Sequence, residues 1–322
     1  MFVNLILIKN LQLTMKNRSI KRNVTEHALQ HVYKICSDGG VVFYRTVDHL
    51  VYFTIESVMS MRYKIPVLAR CQMFNHTHKL CAPSDQQQLA ACESNINIAF
   101  TREYNKEYGR KGRLFRGPFG SAPKWSDKDR RSALLYILNN PVEKKLCRRA
   151  VEDRWTFLAF YQQDYPFSKK PVLSKARWAL RDAMKAVESE YRGGRYLRYA
   201  LLNRLFGTLT GEEQEQLTDY IIQLYFNFDR DACRQLFGSL QQMTDAADVS
   251  KGKEFDVGEV FDPSSDVPYR EMEKIALHYN VSGPGLFKLS ERRRARLAAY
   301  FRQHTMASEE QIARYLHLER ER

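Results

Sequence analysis

The chain has 322 residues, of which 44% are hydrophobic and 12% aromatic, with a formal net charge of +14. This is enough apolar material for folded cores, so the composition argues against a disordered chain. None of the six cysteines stands in a Cys-x-x-Cys pair, which argues against a structural zinc site. We find no secretion signal and expect reduced thiols in a cytoplasm.

The positive charge is concentrated in the first half of the chain. Residues 1–160 contain 26 lysines and arginines against 13 aspartates and glutamates, whereas residues 161–322 contain 25 against 24. A polyanion-binding domain followed by a near-neutral domain would produce this distribution. Chance variation between two domains is the alternative.

An apolar run at residues 1–8 opens the chain. It is too short to span a bilayer and has no basic residues before it, so it is a poor signal peptide. Residues 1–24 form an N-terminal extension. Within it we expect Met15 to be the true start, so that residues 1–14 would not belong to the protein. No other segment reaches transmembrane length.

The first elements alternate between strand and helix. Alternating apolar and polar residues predict a strand at 29–36. We expect a short strand at 41–44, followed by a helix to about Tyr63. Residues 65–80 predict a second long strand, broken near Asn75.

A helix and a basic loop follow. Ser84 has the character of an N-cap, with Gln87 three residues later, and opens a helix to about Tyr108. Residues 109–120 contain repeated glycines and basic residues, which predict a loop or hairpin.

Another helix completes the first domain. Ser126 caps it, it runs through Asn140, and Pro141 stops it. Strands whose partners are close in sequence, interleaved with helices, are typical of an α+β sandwich with one antiparallel sheet. We therefore predict a small ferredoxin-like or RRM-like domain over residues 25–165.

The second half of the chain is predicted to be all-α. Residues 166–247 form a helical domain, 248–268 a linker or long loop, and 269–322 a helical tail. Amphipathic segments predict the helices of the first of these regions, at 172–192, 195–207, 211–226 and 229–245.

The tail contains two short helices joined by a turn. Ser290 opens the first, which is very basic, and Ser308 with Gln311 forms a capping box that opens the second, 309–317. The pair is either a helix-turn-helix that contacts DNA or a solvated helical hairpin.

His76 and His78 form a His-x-His pair within the second strand segment. Residues i and i+2 of a strand point to the same face, so the two imidazoles can share one divalent ion. The alternative is a chance pair with structural roles.

Tyr136 and Asn140 are i and i+4 on the helix that Ser126 caps, so they lie on the same face. If this face meets the histidine strand, Asn140 could supply an oxygen ligand and Tyr136 could reach a phosphate. Otherwise Tyr136 is an ordinary half-buried tyrosine and Asn140 a capping residue before proline.

Together these stretches resemble the single-tyrosine HUH transposases, in particular the branch called REP-associated tyrosine transposases. The resemblance covers about residues 25–160, in matching order and approximate spacing. Its motifs are His31-Val32-Tyr33, Met73-Phe74-Asn75-His76-Thr77-His78, the basic loop at 109–120 and Tyr136-Ile137-Leu138-Asn139-Asn140-Pro141-Val142, with Trp155 near the domain end.

The resemblance implies a metal-dependent DNA nickase and ligase of a mobile element. It makes His76, His78 and Asn140 the ligands of Mg²⁺ or Mn²⁺ and Tyr136 the nucleophile, which forms a 5′-phosphotyrosine with single-stranded or hairpin DNA. Two positions depart from the family pattern: Thr77 replaces a bulky hydrophobic residue, and Phe74 stands where proline often precedes Asn-His. Threonine is compatible with a strand, so we expect the geometry to be kept.

The DNA path is expected to follow basic residues that flank this site. They are Arg110, Lys111, Arg113, Arg116, Lys124, Arg130 and Arg131. Phe115, Phe119 and Trp125 interleave with them and are candidates for stacking on unpaired bases. The alternative is an ordinary basic surface with these aromatic residues in a core.

The leading hypothesis is therefore a DNA transposase or a domesticated relative, associated with the nucleoid in the cytoplasm. A non-catalytic DNA- or RNA-binding protein with the same fold is the second hypothesis, and a small RNA-processing module with structural histidines is the third. The sequence leaves both a monomer and a homodimer open.

Overall fold

The computed structural model describes residues 28–117, 119–250 and 265–318. The expected start at Met15, the N-terminal extension and most of the expected linker lie outside these residues. None of the described helices is long and apolar enough to cross a membrane.

The first part of the chain is built on a four-stranded antiparallel sheet, in the order β2-β3-β1-β4. The chain order strand–helix–strand–strand–helix–strand with this sheet order is the ferredoxin-like topology, which confirms the predicted α+β fold. The elements are β1 (Leu29–Ile35), α1 (Thr46–Arg62), β2 (Val67–Gln72), β3 (His76–Cys81), α2 (Gln86–Tyr108), β4 (Gly120–Lys124) and α3 (Asp127–Glu143).

The remainder is helical, as predicted. Three short 3₁₀-helices at Ala150–Glu152, Arg154–Thr156 and Leu158–Tyr161 come first. The described α-helices that follow are α4 (Trp178–Arg192), α5 (Tyr199–Phe206), α6 (Gly211–Tyr225), α7 (Arg230–Phe237), α8 (Leu240–Ser250), α9 (Val267–His278), α10 (Pro284–Phe287), α11 (Glu291–His304) and α12 (Glu309–Leu316).

Two strand predictions were wrong. Residues 41–44 are not a strand, although all four are buried; they lie in the β1–α1 loop (residues 36–45), where Val42 and Phe43 donate backbone N–H groups to Phe74 O. The long strand predicted at 65–80 is instead the hairpin β2–β3, and its turn lies at the break expected near Asn75. Both segments have apolar residues that enter the core. Hydrophobic periodicity alone therefore does not distinguish a strand from a buried loop or a hairpin.

Several helix ends also differ from the predictions. Asp85, not Ser84, is the N-cap of α2, and its carboxylate accepts from the Gln88 backbone N–H. Helix α3 continues past Pro141 to Glu143, because a proline in the last turn removes only one backbone hydrogen bond.

The segment predicted as one helix at 229–245 forms two, separated at Gly238, which has a positive φ of 84°. The boundaries of the predicted linker at 248–268 shift as well. Residues 248–250 of this segment belong to α8, and residues 267–268 belong to α9.

The two faces of the sheet differ in chemistry. Helices α1 and α2 cover one face, where three buried cations meet two buried glutamates. Glu93 of α2 lies 2.7 Å from Lys34 Nζ and also binds Lys79, while Glu56 of α1 lies 3.2 Å from Lys79 Nζ and 3.1 Å from Arg70 Nε. The two lysines hold the pKa of Glu93 at about 2, against burial, which alone would raise it.

Helix α3 packs on the opposite face. This face carries the side chains of His31, Tyr33, His76 and His78, because paired residues of neighbouring strands share a face and alternate along each strand. The ferredoxin-like topology therefore isolates the histidines from the buried ion pairs.

Candidate active site

His76 and His78 lie side by side on β3, as the i, i+2 spacing predicts. Their ring centroids are 4.9 Å apart and the ring planes stand at 84° to each other. His78 is buried, whereas His76 at the start of the strand is partly exposed. Two imidazoles at this separation can both face one small ligand.

His31 on β1 joins the pair. The register places Tyr33 opposite His78 and His31 opposite Leu80, so His31 is the diagonal neighbour of His78. His31 Nε2 and His78 Nδ1 are 3.1 Å apart and share a hydrogen bond. Burial, reinforced by the charge of Lys124, lowers the pKa of His31 to about 3.

The pKa of His78 is also well below its ordinary value, first because of burial and then because His76 and His31 are close. Both buried rings are therefore neutral, which is the form of imidazole that binds metals. Because Nδ1 of His78 contacts His31, Nε2 is the nitrogen through which His78 would bind an ion.

Asn75 contacts Nδ1 of His76, as His31 contacts Nδ1 of His78. Asn75 Oδ1 lies 2.7 Å from His76 Nδ1, and an amide oxygen can only accept, so Nδ1 carries the proton. Nε2 is then the nitrogen of His76 that would bind a metal.

Tyr136 comes from α3, whose first turn is closed by the Ser126 capping box, as predicted for Ser126. Its ring centroid lies 5.5 Å from that of His78 and 5.8 Å from that of His31. Asn140 lies one turn later and is buried. Its side-chain N–H donates to the backbone carbonyl oxygen of Tyr136, 3.1 Å away. The amide oxygen is thus the atom of Asn140 that would bind a metal.

The expected ligands His76, His78 and Asn140 stay a prediction. Within the three described ranges, no group of three or more His, Cys, Asp or Glu side chains could hold a metal ion. The expected ligand set contains two histidines and Asn140, whose amide is not among these four residue types.

Sequence reasoning did not name His31 as a candidate site residue and did not place Lys124 beside it; DNA binding by Lys124 stays a prediction. Lys124, on β4, is only 8% exposed and lies on the histidine face, where it acts on His31. The alternation of side chains along β1 and β4 shows which residues share the histidine face, but only once the pairing of the two strands is known.

The other expected DNA-binding residues lie on the loop before β4 and at the start of α3. Exposed among them are Lys111, Arg113, Arg116 and Arg131. Arg110 packs instead over the rings of Tyr104 and Phe287, and Arg130 pairs with Asp127 at 3.1 Å.

Of the three aromatic residues expected to stack on bases, only Trp125 is exposed, with 54% of its surface accessible. Phe115 and Phe119 are 4% and 1% exposed and belong to the core, so the stacking prediction was wrong for both. Their spacing among basic residues reflects a loop that is anchored by its aromatic side chains.

The tail hairpin forms from α11 and α12, with Ser290 and Ser308 as N-caps. Helix α12 buries Ile312, Tyr315 and Leu316, and Tyr44 Oη donates to Tyr315 O at 2.7 Å. This helix therefore packs against the ferredoxin-like part. Its contact with DNA stays a prediction.

Comparisons with known proteins add a distant likeness. No protein-family model matches the sequence, and no curated protein matches it. A solved structure of a REP-associated tyrosine transposase bound to a REP hairpin shares 14% identity over 43% of this chain and 81% of that chain, with a TM-score of 0.37.

Proposed function

We propose that this chain cuts and rejoins single-stranded DNA, with Tyr136 as the nucleophile. The observation that carries the proposal is the convergence of α3 on β3, which brings the Tyr136 ring within 5.5 Å of His78, beside His76. A hydroxyl nucleophile next to the neutral imidazoles of His78 and His31 is suited to attack on a phosphodiester.

His76, His78 and Asn140 would hold Mg²⁺ or Mn²⁺, and the bound ion would neutralise and orient the phosphate. The Tyr136 oxygen loses its proton and attacks phosphorus, and the bond from phosphorus to the 3′ oxygen breaks. The products are a 5′-phosphotyrosine and a strand that ends in a 3′-hydroxyl, after the leaving oxygen takes up a proton. Reversal of the attack rejoins DNA without a nucleotide cofactor.

Single-stranded or hairpin DNA is the proposed substrate. Lys111, Arg113 and Arg116 are exposed on the loop before β4, and Trp125 is exposed where β4 ends. Cationic side chains beside an exposed aromatic ring are suited to a phosphate backbone with unpaired bases. Contacts of this kind release counterions, so binding should weaken as salt rises.

The test is a cleavage assay with Mn²⁺ on a hairpin oligonucleotide that carries a fluorescent label at its 3′ end. The 3′ fragment keeps the 5′-phosphate, so the wild type is expected to give a labelled covalent adduct. Tyr136→Phe should give none, and His76→Ala should lose cleavage. Tyr33→Phe is the matched control, because Tyr33 lies on the same face with its ring 6.1 Å from that of His31.

An adduct that persists in Tyr136→Phe would overturn the assignment of the nucleophile. Cleavage that survives in His76→Ala would overturn the metal assignment. If the wild type binds the hairpin and never forms an adduct, the chain is a non-catalytic nucleic-acid-binding protein.

A further inference from the structure

Asn75 connects His76 to the β1–α1 loop. Its side-chain oxygen contacts His76 Nδ1 at 2.7 Å, and its side-chain nitrogen donates to Gly39 O at 3.1 Å. Its backbone oxygen accepts from Cys36 N at 3.0 Å. The orientation of His76 is therefore determined by the position of this loop.

The loop is in turn held by the end of α12. His317 Nδ1 lies 2.9 Å from Asp38 Oδ2, and His317 Nε2 lies 2.8 Å from Val41 O. Both acceptors flank Gly39, the residue that binds Asn75. The two ring nitrogens of His317 thus contact a carboxylate oxygen and a backbone carbonyl oxygen of the same loop.

Other contacts show that the loop and α12 fit closely. A Cβ on Gly40 would lie 2.5 Å from the His317 ring, so only glycine leaves room for the imidazole. Val41 donates its backbone N–H to Arg314 O at 3.1 Å. Asp38 also accepts from Gly40 N at 2.8 Å, which ties the carboxylate that binds His317 to the loop itself.

We infer that Asn75 is a positioning residue for His76, and that the C-terminal helix α12 holds Asn75 in place through His317 and the β1–α1 loop. This inference rests on the proposed function for the role of His76 as a metal ligand. It assigns the helical tail a task in the site that does not depend on whether the hairpin contacts DNA.

The first test measures the tautomer of His76 in the metal-free protein, from long-range ¹H–¹⁵N correlations of the imidazole rings. The wild type is expected to carry its proton on Nδ1. Asn75→Ala and His317→Ala should both increase the share of the Nε2–H tautomer. His304→Ala is the matched control, because His304 is an exposed histidine of the same hairpin that contacts Tyr300 O instead.

The second test measures Mn²⁺ binding by titration calorimetry. Loss of a residue that orients a metal ligand typically weakens the metal affinity about 10- to 100-fold. We expect this range for Asn75→Ala, about tenfold for His317→Ala, and no change for His304→Ala. Asp38→Asn, which removes the charge that binds His317 and keeps the shape of the side chain, should follow His317→Ala.

Folded His317→Ala and Asp38→Asn proteins with the wild-type tautomer at His76 would overturn the inference, whatever their affinity for Mn²⁺. A wild type that binds no Mn²⁺ would instead contradict the proposed function. The ring spectra would then still decide whether α12 positions His76.

Discussion

Gly120 of β4 lies directly opposite Tyr33 of β1 on the histidine face of the sheet. A Cβ at this position would be 2.1 Å from Tyr33 Cζ, so the tyrosine ring occupies the space that any side chain would need. The phenol ring thus lies flat over the glycine, next to His31. This packing explains a glycine within a strand, where its missing side chain is otherwise unfavourable.

We predict that Gly120→Ala destabilises the fold by about 1–3 kcal/mol, because the ring of Tyr33 must move. Chemical denaturation measures the change. Gly211→Ala is the control and should be nearly neutral, since no atom lies within 4 Å of its Cβ position. In a Tyr33→Ala background most of the cost should disappear; an undiminished cost there would mean that another contact is responsible.

At the scale of elements, the long helices α1, α2 and α3 could be predicted because periodicity and caps act locally. The sequence predicts the hairpin β2–β3 only as a strand broken near Asn75, because the break does not show that the chain reverses direction. It does not predict β4, because the five residues Gly-Ser-Ala-Pro-Lys have little apolar pattern. The His76, His78 and Tyr136 proximity followed from spacing and resemblance. The position of His31 beside His78 could not be predicted in this way, because it depends on the register between β1 and β3.

Helix α2 is attached to the sheet through Glu93, which is buried between Lys34 and Lys79. We predict that Glu93→Gln lowers the free energy of unfolding by about 3–5 kcal/mol, because two buried ammonium groups lose a countercharge. Thermal and urea denaturation at neutral pH measure the loss. Glu212→Gln, at an exposed position of α6, should cost under about 1 kcal/mol. Similar effects of the two substitutions would contradict the buried network.

At the scale of the whole molecule, a titratable contact joins two helices of the tail. Tyr315 Oη of α12 donates to Glu273 Oε2 of α9 at 2.8 Å. Burial raises the pKa of Glu273 to about 7, against the hydrogen bond from Tyr315. The folded chain therefore retains this proton over a pH range in which an unfolded chain has released it.

We predict that the stability contributed by this carboxyl group is full below about pH 4.5 and is lost as the pH rises to about 7. The loss should amount to roughly 3 kcal/mol. Glu273→Gln should remove this part of the pH dependence and stabilise the protein at pH 8, as measured by denaturation across pH. Glu291→Gln, exposed on α11, should leave the profile unchanged. An unaltered slope in Glu273→Gln would refute the prediction.

The bonds from His317 to Asp38 and Val41 join residues more than 270 positions apart in the chain. Contacts this distant form late, and during synthesis they cannot form until the last helix has left the ribosome. The β1–α1 loop, and with it Asn75 and His76, would reach its final arrangement only once α12 has been made and has folded. A nascent or truncated polypeptide that lacks α12 would then carry Tyr136 and His78 without the final arrangement of His76.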